Sequence, residues 1–189
     1  MRHPRPTLVL SKCLELEACR YNGQRVQAPF VKAILPFVEP IAVCPEVEIG
    51  LGVPRDPIRL VILHDGVRLV QPSTRRDLTK AMRQFSDRFL DSLGAVDGFI
   101  LKGRSPSCGI ADTKVFDSVD ADEPTAAGAG VFARAVLQRY PRAAIIDEAQ
   151  LTADDAGHRF LVQLFANARA RTRAGTPDEP YPRELRQLG

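Results

Sequence analysis

The amino-acid sequence predicts an α/β protein with three layers, a sandwich built around a mostly parallel sheet. Short apolar segments typical of buried strands alternate with longer segments whose apolar residues recur at helical spacing. This alternation favours a parallel sheet covered by helices. A chain of 189 residues is long enough to form one domain with a substantial core.

Composition narrows the class of protein. The chain is 44% hydrophobic and 26% charged, which is ordinary for a soluble globular protein, and its net charge of +3 is too small to indicate nucleic-acid binding by itself. No apolar run approaches the ~20 residues of a membrane span. The first residues, "MRHPRPTLVLSKC", contain an apolar run that is too short for a secretory signal. We therefore expect a cytoplasmic protein without a membrane partner.

The predicted strands come in two kinds. A hairpin is predicted over "IRLVILHDGVRLVQP" (58–72), with its turn at His64-Asp65-Gly66. The other strand segments are short and apolar: "TLVL" (7–10), "PIAVCPE" (40–46), "VDGFILKG" (96–103) and "AAIIDE" (143–148). The hairpin could add an antiparallel element to the sheet.

Four helices are predicted, at 28–38, 77–94, 123–141 and 153–175. The second is the clearest, with Asp77 as its N-cap and Gly94 beyond its end. The third contains "GAGVFA" (128–133), which lacks the full dinucleotide fingerprint and is predicted to lie inside a helix. We therefore reject a nucleotide cofactor on this motif.

One α/β domain is expected over residues 1–175. Residues 176–189, "TPDEPYPRELRQLG", are rich in proline and charge, and we expect an exposed or loosely docked tail.

The cysteines suggest where the chemistry lies. Cys13, Cys44 and Cys108 each lie at or just past the end of a predicted strand. The carboxyl ends of parallel strands share one edge of the sheet, and ligands bind outside that edge, so these thiols could converge. Three thiolates leave one coordination position open. In an iron–sulfur cluster this would be one iron free to bind substrate.

Each candidate also has an ordinary structural interpretation. A free cysteine often behaves as a small buried hydrophobe, and the spacing does not exclude Cys19 as a fourth ligand. Glu46 could transfer protons or be a solvated glutamate. Ser105 could donate a hydrogen bond to a ligand or cap its turn. Arg55 could bind an anion, although an exposed arginine is the usual case.

Four motifs, in order, carry a family resemblance: "SKCLELEACRYNG", "VCPEVEIGLGVPR", "DLT" and "KGRSPSCG". Together they resemble the thiouracil desulfurase family over about residues 7 to 165. The resemblance implies a Rossmann-like α/β fold and a 4Fe–4S cluster held by Cys13, Cys44 and Cys108. It also implies that Glu46 and Ser105 are the catalytic pair, and that Cys19 is not a ligand.

The first functional hypothesis is therefore an iron–sulfur-dependent desulfurase. It would act on a thiolated uracil base, nucleoside or nucleotide and give the oxo compound and sulfide without net redox change. Its expected partners are a small thiolated pyrimidine and a candidate sulfide acceptor, with nucleic acid left open. A cluster-free sulfurtransferase carrying persulfide on Cys108 is the second hypothesis. A module whose thiols hold a structural metal is the third.

Overall fold

The computed structural model describes residues 3–152, 155–173 and 179–188. Strands and helices alternate through this part of the chain. The strands are β1 (Thr7–Ser11), β2 (Glu39–Val43), β3 (Arg59–Leu63), β4 (Gly66–Gln71), β5 (Arg76–Asp77), β6 (Gly98–Leu101), β7 (Thr113–Phe116), β8 (Ala126–Gly128) and β9 (Ala144–Asp147). The α-helices are α1 (Pro29–Ile34), α2 (Pro45–Glu48), α3 (Thr79–Ser92), α4 (Val131–Arg139) and α5 (Ala156–Thr172).

The central sheet is parallel throughout and has the strand order β2-β1-β6-β9. Its strands are the four short apolar segments that the sequence predicted. Alternate residues of each strand face opposite sides of the sheet, which is why these segments are apolar on both faces. Leu8 and Leu10 of β1 pack into one core cluster, and Val9 between them packs into the other.

The two core clusters make the structure a three-layer sandwich. The first lies between the central sheet and helices α1 and α5. The second lies between the opposite face of the sheet and α3, α4 and strands β3, β4 and β7. The prediction of an α/β fold with a mostly parallel sheet and a Rossmann-like arrangement is confirmed.

A second, mixed sheet was only partly expected. The predicted hairpin is present as the antiparallel pair β3–β4. It belongs to a sheet of its own, with the strand order β5-β4-β3-β7-β8. Strands β5, β7 and β8 were not predicted from the sequence, because all three are very short and their residues do not form a long apolar run.

The helix predicted over 123–141 is wrong in its first half. Residues 126–128 form β8, which pairs antiparallel with β7, and the helix runs only over Val131–Arg139. Gly130 is its N-cap in an extended conformation. The "GAGVFA" motif therefore runs from a strand into a helix. Alanine and glycine carry little strand signal, so tertiary pairing with β7 decided the conformation here.

The other helices begin and end close to their predicted bounds. The 28–38 segment is α1 followed by a 3-10 turn at Leu35–Phe37. In α3, Leu78 occupies the N-cap position, while Asp77 Oδ1 accepts a hydrogen bond from the Thr79 N–H at 2.8 Å. The predicted end of the fourth helix at 174–175 and its start at 153–154 lie outside the described residues.

For the C-terminal segment, an exposed or loosely docked tail is expected, and the structure describes its residues 179–188. Residues Arg183–Leu188 form a 3-10 helix that packs on α1 and α5. Tyr181 is 5% exposed and Leu185 1%, and both belong to the first core cluster. Their burial outweighs the polar character of the neighbouring residues. The division of the chain at residue 175 stays a prediction.

Among residues 3–152, 155–173 and 179–188, no helix is both long and apolar enough to cross a membrane.

Candidate functional site

Three cysteines come together beyond the carboxyl edge of the central sheet. Strands β2, β1 and β6 are neighbours and parallel, so their carboxyl ends lie side by side. Cys44 directly follows β2, Cys13 lies just past β1, and Cys108 lies in the loop after β6. All three line one cavity of about 450 Å³. This volume is within the usual range for small-molecule sites.

Cys19 lines the same cavity. Its spacing in the sequence did not exclude it as a fourth ligand. The loop from β1 turns back on itself at the Leu14–Val26 bridge, and this brings Cys19 to the cavity wall. Its side chain is fully buried, and its carbonyl oxygen lies 3.7 Å from the Cys44 Sγ. The cavity is therefore lined by four free, buried thiols.

Glu46 enters the cavity from the first turn of α2, immediately after Cys44. Pro45 occupies the first helical position, where its fixed backbone angle favours the start of a helix. The Glu46 carboxylate divides its hydrogen bonds between two partners. Its Oε2 accepts from Arg55, and its Oε1 faces Ser105 and Ser107 at 3.4 and 3.1 Å.

Arg55 lies inside the site, although an exposed arginine was the usual expectation. Its side chain is 4% exposed, and Glu46 is 13% exposed. The Nε and Nη2 atoms of Arg55 lie 2.8 and 2.7 Å from Glu46 Oε2. An ion pair this buried is matched by hydrogen bonds on both sides, as it must be to remain charged.

The turn that carries Cys108 is held by Ser105. The Ser105 Oγ accepts hydrogen bonds from the N–H groups of Ser107 and Cys108, at 3.2 and 3.1 Å. Ser105 thus caps its turn, as one of its two interpretations expects, and it also faces Glu46, whereas its donation of a hydrogen bond to a ligand stays a prediction. Ser107, which the sequence analysis did not single out, is fully buried and lies closer to Glu46.

The start of α4 fixes this turn from the other side. The N–H groups of Gly130, Val131 and Ala133 donate to the carbonyl oxygens of Gly109, Pro106 and Ser107, at 2.8, 3.0 and 3.0 Å. Unpaired N–H groups at a helix N-terminus are thereby satisfied by the loop around Cys108. A Cβ on Gly130 would lie 2.5 Å from the Ser107 carbonyl, so only glycine fits here. The "GAGVFA" motif therefore supports the Cys108 turn.

The pKa values of Cys19, Cys44 and Cys108 are raised above the ordinary value of a thiol. Burial raises the pKa of Cys44 to about 11, against a smaller opposing effect of a hydrogen bond from the Val47 backbone. Burial likewise raises the pKa of Cys108. For Cys19, a hydrogen bond with the Cys13 side chain is the main cause that raises the pKa, with burial next. Thiolates here would need a cation beside them.

The donor chemistry of the cavity fits an iron–sulfur cluster. Soft thiolates are the ligands that such clusters use, and four thiols line this cavity. Within the described ranges of the chain, no three His, Cys, Asp or Glu side chains are gathered as they would be around one metal ion. A cluster of four irons is larger than one ion, so its cysteine ligands need not gather around a single point.

Known proteins resemble this chain in sequence and in fold. The chain matches the 2-thiouracil desulfurase family over residues 8–148. It is 26% identical over 110 residues to the uncharacterized protein YbbK of Bacillus subtilis, across 54% of this chain and 72% of YbbK. A solved structure of a 4Fe–4S-dependent thiouracil desulfidase, TudS, superimposes with a TM-score of 0.62 at 26% identity, over 78% of this chain and 93% of TudS.

The family match spans β1 through β9 and includes Cys13, Cys44, Glu46 and Cys108 together with the turn that holds it. This chain belongs to the 2-thiouracil desulfurase family.

Proposed function

We propose that this protein is an iron–sulfur-dependent desulfurase that converts a thiolated uracil base, nucleoside or nucleotide into the oxo compound and sulfide. One observation carries the proposal beyond family membership. Three thiols and a carboxylate, each just beyond a parallel strand or at the start of the following helix, line one cavity. Thiolates for a cluster and a group for proton transfer are the two requirements of this reaction.

Cys13, Cys44 and Cys108 would hold a 4Fe–4S cluster, with one iron left without a cysteine ligand. When bound, such a cluster supplies a Lewis acid for the thiocarbonyl sulfur and makes the ring carbon more electrophilic. Cys19 is assigned no ligand role in this proposal. Its place in the cavity makes this assignment directly testable.

Glu46 would accept the proton of the attacking water. The oxygen of the water forms the new bond to the ring carbon, and Glu46 would return its proton to the sulfur. The C–S bond then breaks, sulfur leaves with the bonding electron pair as hydrosulfide, and the second proton of the water, released as the carbonyl forms, completes hydrogen sulfide. Atoms balance as thiouracil plus water giving uracil plus hydrogen sulfide, with no change of redox state. Ser105 and Ser107 face Glu46 Oε1 and would orient it toward the water.

The burial of Cys108 disfavours the persulfide alternative. That chemistry needs an exposed, easily ionised thiol, whereas Cys108 is 5% exposed and burial raises its pKa. A structural metal module would need no carboxylate inside the cavity, yet Glu46 is held there by a buried arginine. The arrangement of the cavity thus favours the desulfurase.

The test is turnover of thiouracils by anaerobically prepared, iron-loaded protein. The thiocarbonyl absorbance should fall, and the amount of sulfide released should equal the amount of thiocarbonyl consumed. Glu46→Gln should keep its iron and lose turnover by about 100-fold or more, as expected for removal of a general base. Wild-type protein that holds iron but releases no sulfide from any thiouracil would refute the proposal.

A further inference from the structure

Arg55 is the most heavily engaged side chain of the cavity. Besides its two contacts to Glu46, its Nη1 donates to the carbonyl oxygens of Cys19 and Gly52, at 3.0 and 2.8 Å. Its Nη2 also lies 4.0 Å from the Cys44 Sγ. Three nitrogens of one buried guanidinium are therefore directed at groups that line the site or shape its wall.

We propose that Arg55 is a positioning residue for desulfurisation, acting through Glu46; the inference rests on the proposed function of that site. The two oxygens of the Glu46 carboxylate have different partners. Arg55 binds Oε2 alone, through both Nε and Nη2, and this leaves Oε1 directed at Ser107 and Ser105. The guanidinium thus sets which oxygen of Glu46 is available to the reacting water.

Arg55 also holds the loop that carries Cys13 and Cys19. Arg55 binds this loop twice: its Nη1 donates to the Cys19 carbonyl, and its backbone N–H donates to the Tyr21 carbonyl at 2.8 Å. The loop after β1 is thereby tied to the start of α2. Arg55 consequently fixes the distance between the thiol side of the cavity and its carboxylate.

An arginine is required for this arrangement. The guanidinium presents several donors in one rigid plane, so it can bind a carboxylate on one edge and carbonyl oxygens on another. A lysine carries the same charge, but its three donors share one nitrogen, so they cannot occupy the separate positions of Nε, Nη1 and Nη2. Arg55→Lys therefore separates loss of positioning from loss of charge.

A merely structural role would give a different result from a positioning role. If Arg55 only stabilised the fold or the cluster, its variants would lose iron and activity in proportion. If it acts through Glu46, iron and KM should stay while kcat falls. Moreover, its effect should vanish once Glu46 can no longer act as a base. A double-mutant cycle measures this dependence directly.

The experiment uses iron-loaded, anaerobically prepared protein and four variants: Arg55→Lys, Arg55→Ala, Glu46→Gln, and Arg55→Lys combined with Glu46→Gln. Arg139→Lys, which alters an exposed ion pair with Asp91, is the matched control. Iron and sulfide per chain, kcat and KM on thiouracil are measured for each. Arg55→Ala is also assayed with added methylguanidine, which can occupy the space of the lost guanidinium.

We expect Arg55→Lys to keep wild-type iron and a KM within about 3-fold, and to lose roughly 10- to 100-fold in kcat, as a displaced catalytic group does. The combined variant should be no slower than Glu46→Gln, and methylguanidine should restore part of the activity of Arg55→Ala. Arg139→Lys should match wild type.

Two results would overturn the positioning role while leaving the proposed function intact. One is a kcat loss in the combined variant equal to the product of the losses in Arg55→Lys and Glu46→Gln. The other is a kcat loss in the Arg55 variants in proportion to their loss of iron. Wild-type protein that carries iron but turns over no thiouracil would instead overturn the proposed function, and the positioning role with it.

Discussion

The Ser107 hydroxyl lies 3.1 Å from Glu46 Oε1, closer than the Ser105 hydroxyl at 3.4 Å. Ser105 at the same time accepts hydrogen bonds from the N–H groups of Ser107 and Cys108. The two serines of "SPSCG" therefore differ in their hydrogen-bond partners. Ser107 contacts the carboxylate, whereas Ser105 contacts both the carboxylate and the turn that carries Cys108.

Replacing each serine should separate these roles. Ser107→Ala should keep its iron and lose roughly 10-fold or more in kcat, because a hydrogen bond to a charged group contributes about 1.5–3 kcal/mol. Ser105→Ala should lose both iron and turnover, since two N–H groups of the turn lose their acceptor. Iron content and steady-state kinetics measure both effects. The exposed Ser92→Ala is the control, and equal iron loss in both cavity variants would contradict this division.

Gly130→Ala should destabilise the Cys108 turn. The added methyl would lie 2.5 Å from the Ser107 carbonyl and 2.7 Å from the Pro106 oxygen, so the start of α4 must move. Overpacking of this kind costs roughly 1–3 kcal/mol. Thermal unfolding should show a lowered Tm, and anaerobic loading should give less iron per chain. Gly94→Ala, whose methyl would meet nothing within 4 Å, is the matched control. Unchanged iron content in Gly130→Ala would argue against the support of the turn by α4.

The stability of the iron-free protein should fall as pH rises from about 9 to 11. Burial raises the pKa of Cys44 from 9.0 in the unfolded chain to about 11 in the folded one. In that window the unfolded thiol has lost its proton and the folded thiol has kept it, so the free energy of unfolding decreases with pH. A shift of this size corresponds to about 2–3 kcal/mol.

Urea unfolding of the iron-free protein at pH 8 and pH 10.5 tests this. Cys44→Ser, which has no group titrating in this window at that position, should show a smaller decrease between the two pH values than wild type. An equal decrease in both proteins would assign the pH dependence to other residues.

The sequence was sufficient to predict the edge of the fold where the site lies. Apolar runs identified β1, β2 and β6, and the shared direction of parallel strands places their ends together. The cysteines could therefore be grouped before any contact was known. Glu46 was found for the same reason, since it stands next to Cys44 in the chain.

Arg55 and Ser107 could not be assigned in this way. Whether an arginine in "VPRDP" is exposed or buried depends on how the loop after α2 folds back, and no local pattern records this. Which serine of "SPSCG" lies closer to Glu46 depends on the backbone angles of a tight turn, and the sequence pattern does not specify these angles. A buried carboxylate needing a cation was the signal that could have pointed to Arg55.

The β7–β8 pair shows a different limit of sequence reasoning. Alanine-rich sequence after Pro124 favours a helix by propensity, yet residues 126–128 pair with β7. Helix α4 begins only after its N-cap Gly130, and the N–H groups at its start donate to carbonyl oxygens of the loop that carries Cys108. The signal was present as two glycines in "GAGVFA", which mark a break in helical structure.

The central claim is that three of the four cavity thiols hold a cluster. Wild type and the variants Cys13→Ala, Cys19→Ala, Cys44→Ala and Cys108→Ala should be purified anaerobically, and their iron, sulfide and visible spectra compared. We predict a brown wild type and brown Cys19→Ala, with iron lost in the other three. Iron loss in Cys19→Ala equal to the others would contradict the three-cysteine site. A wild type that stays colourless and iron-free after anaerobic reconstitution would contradict the desulfurase account itself.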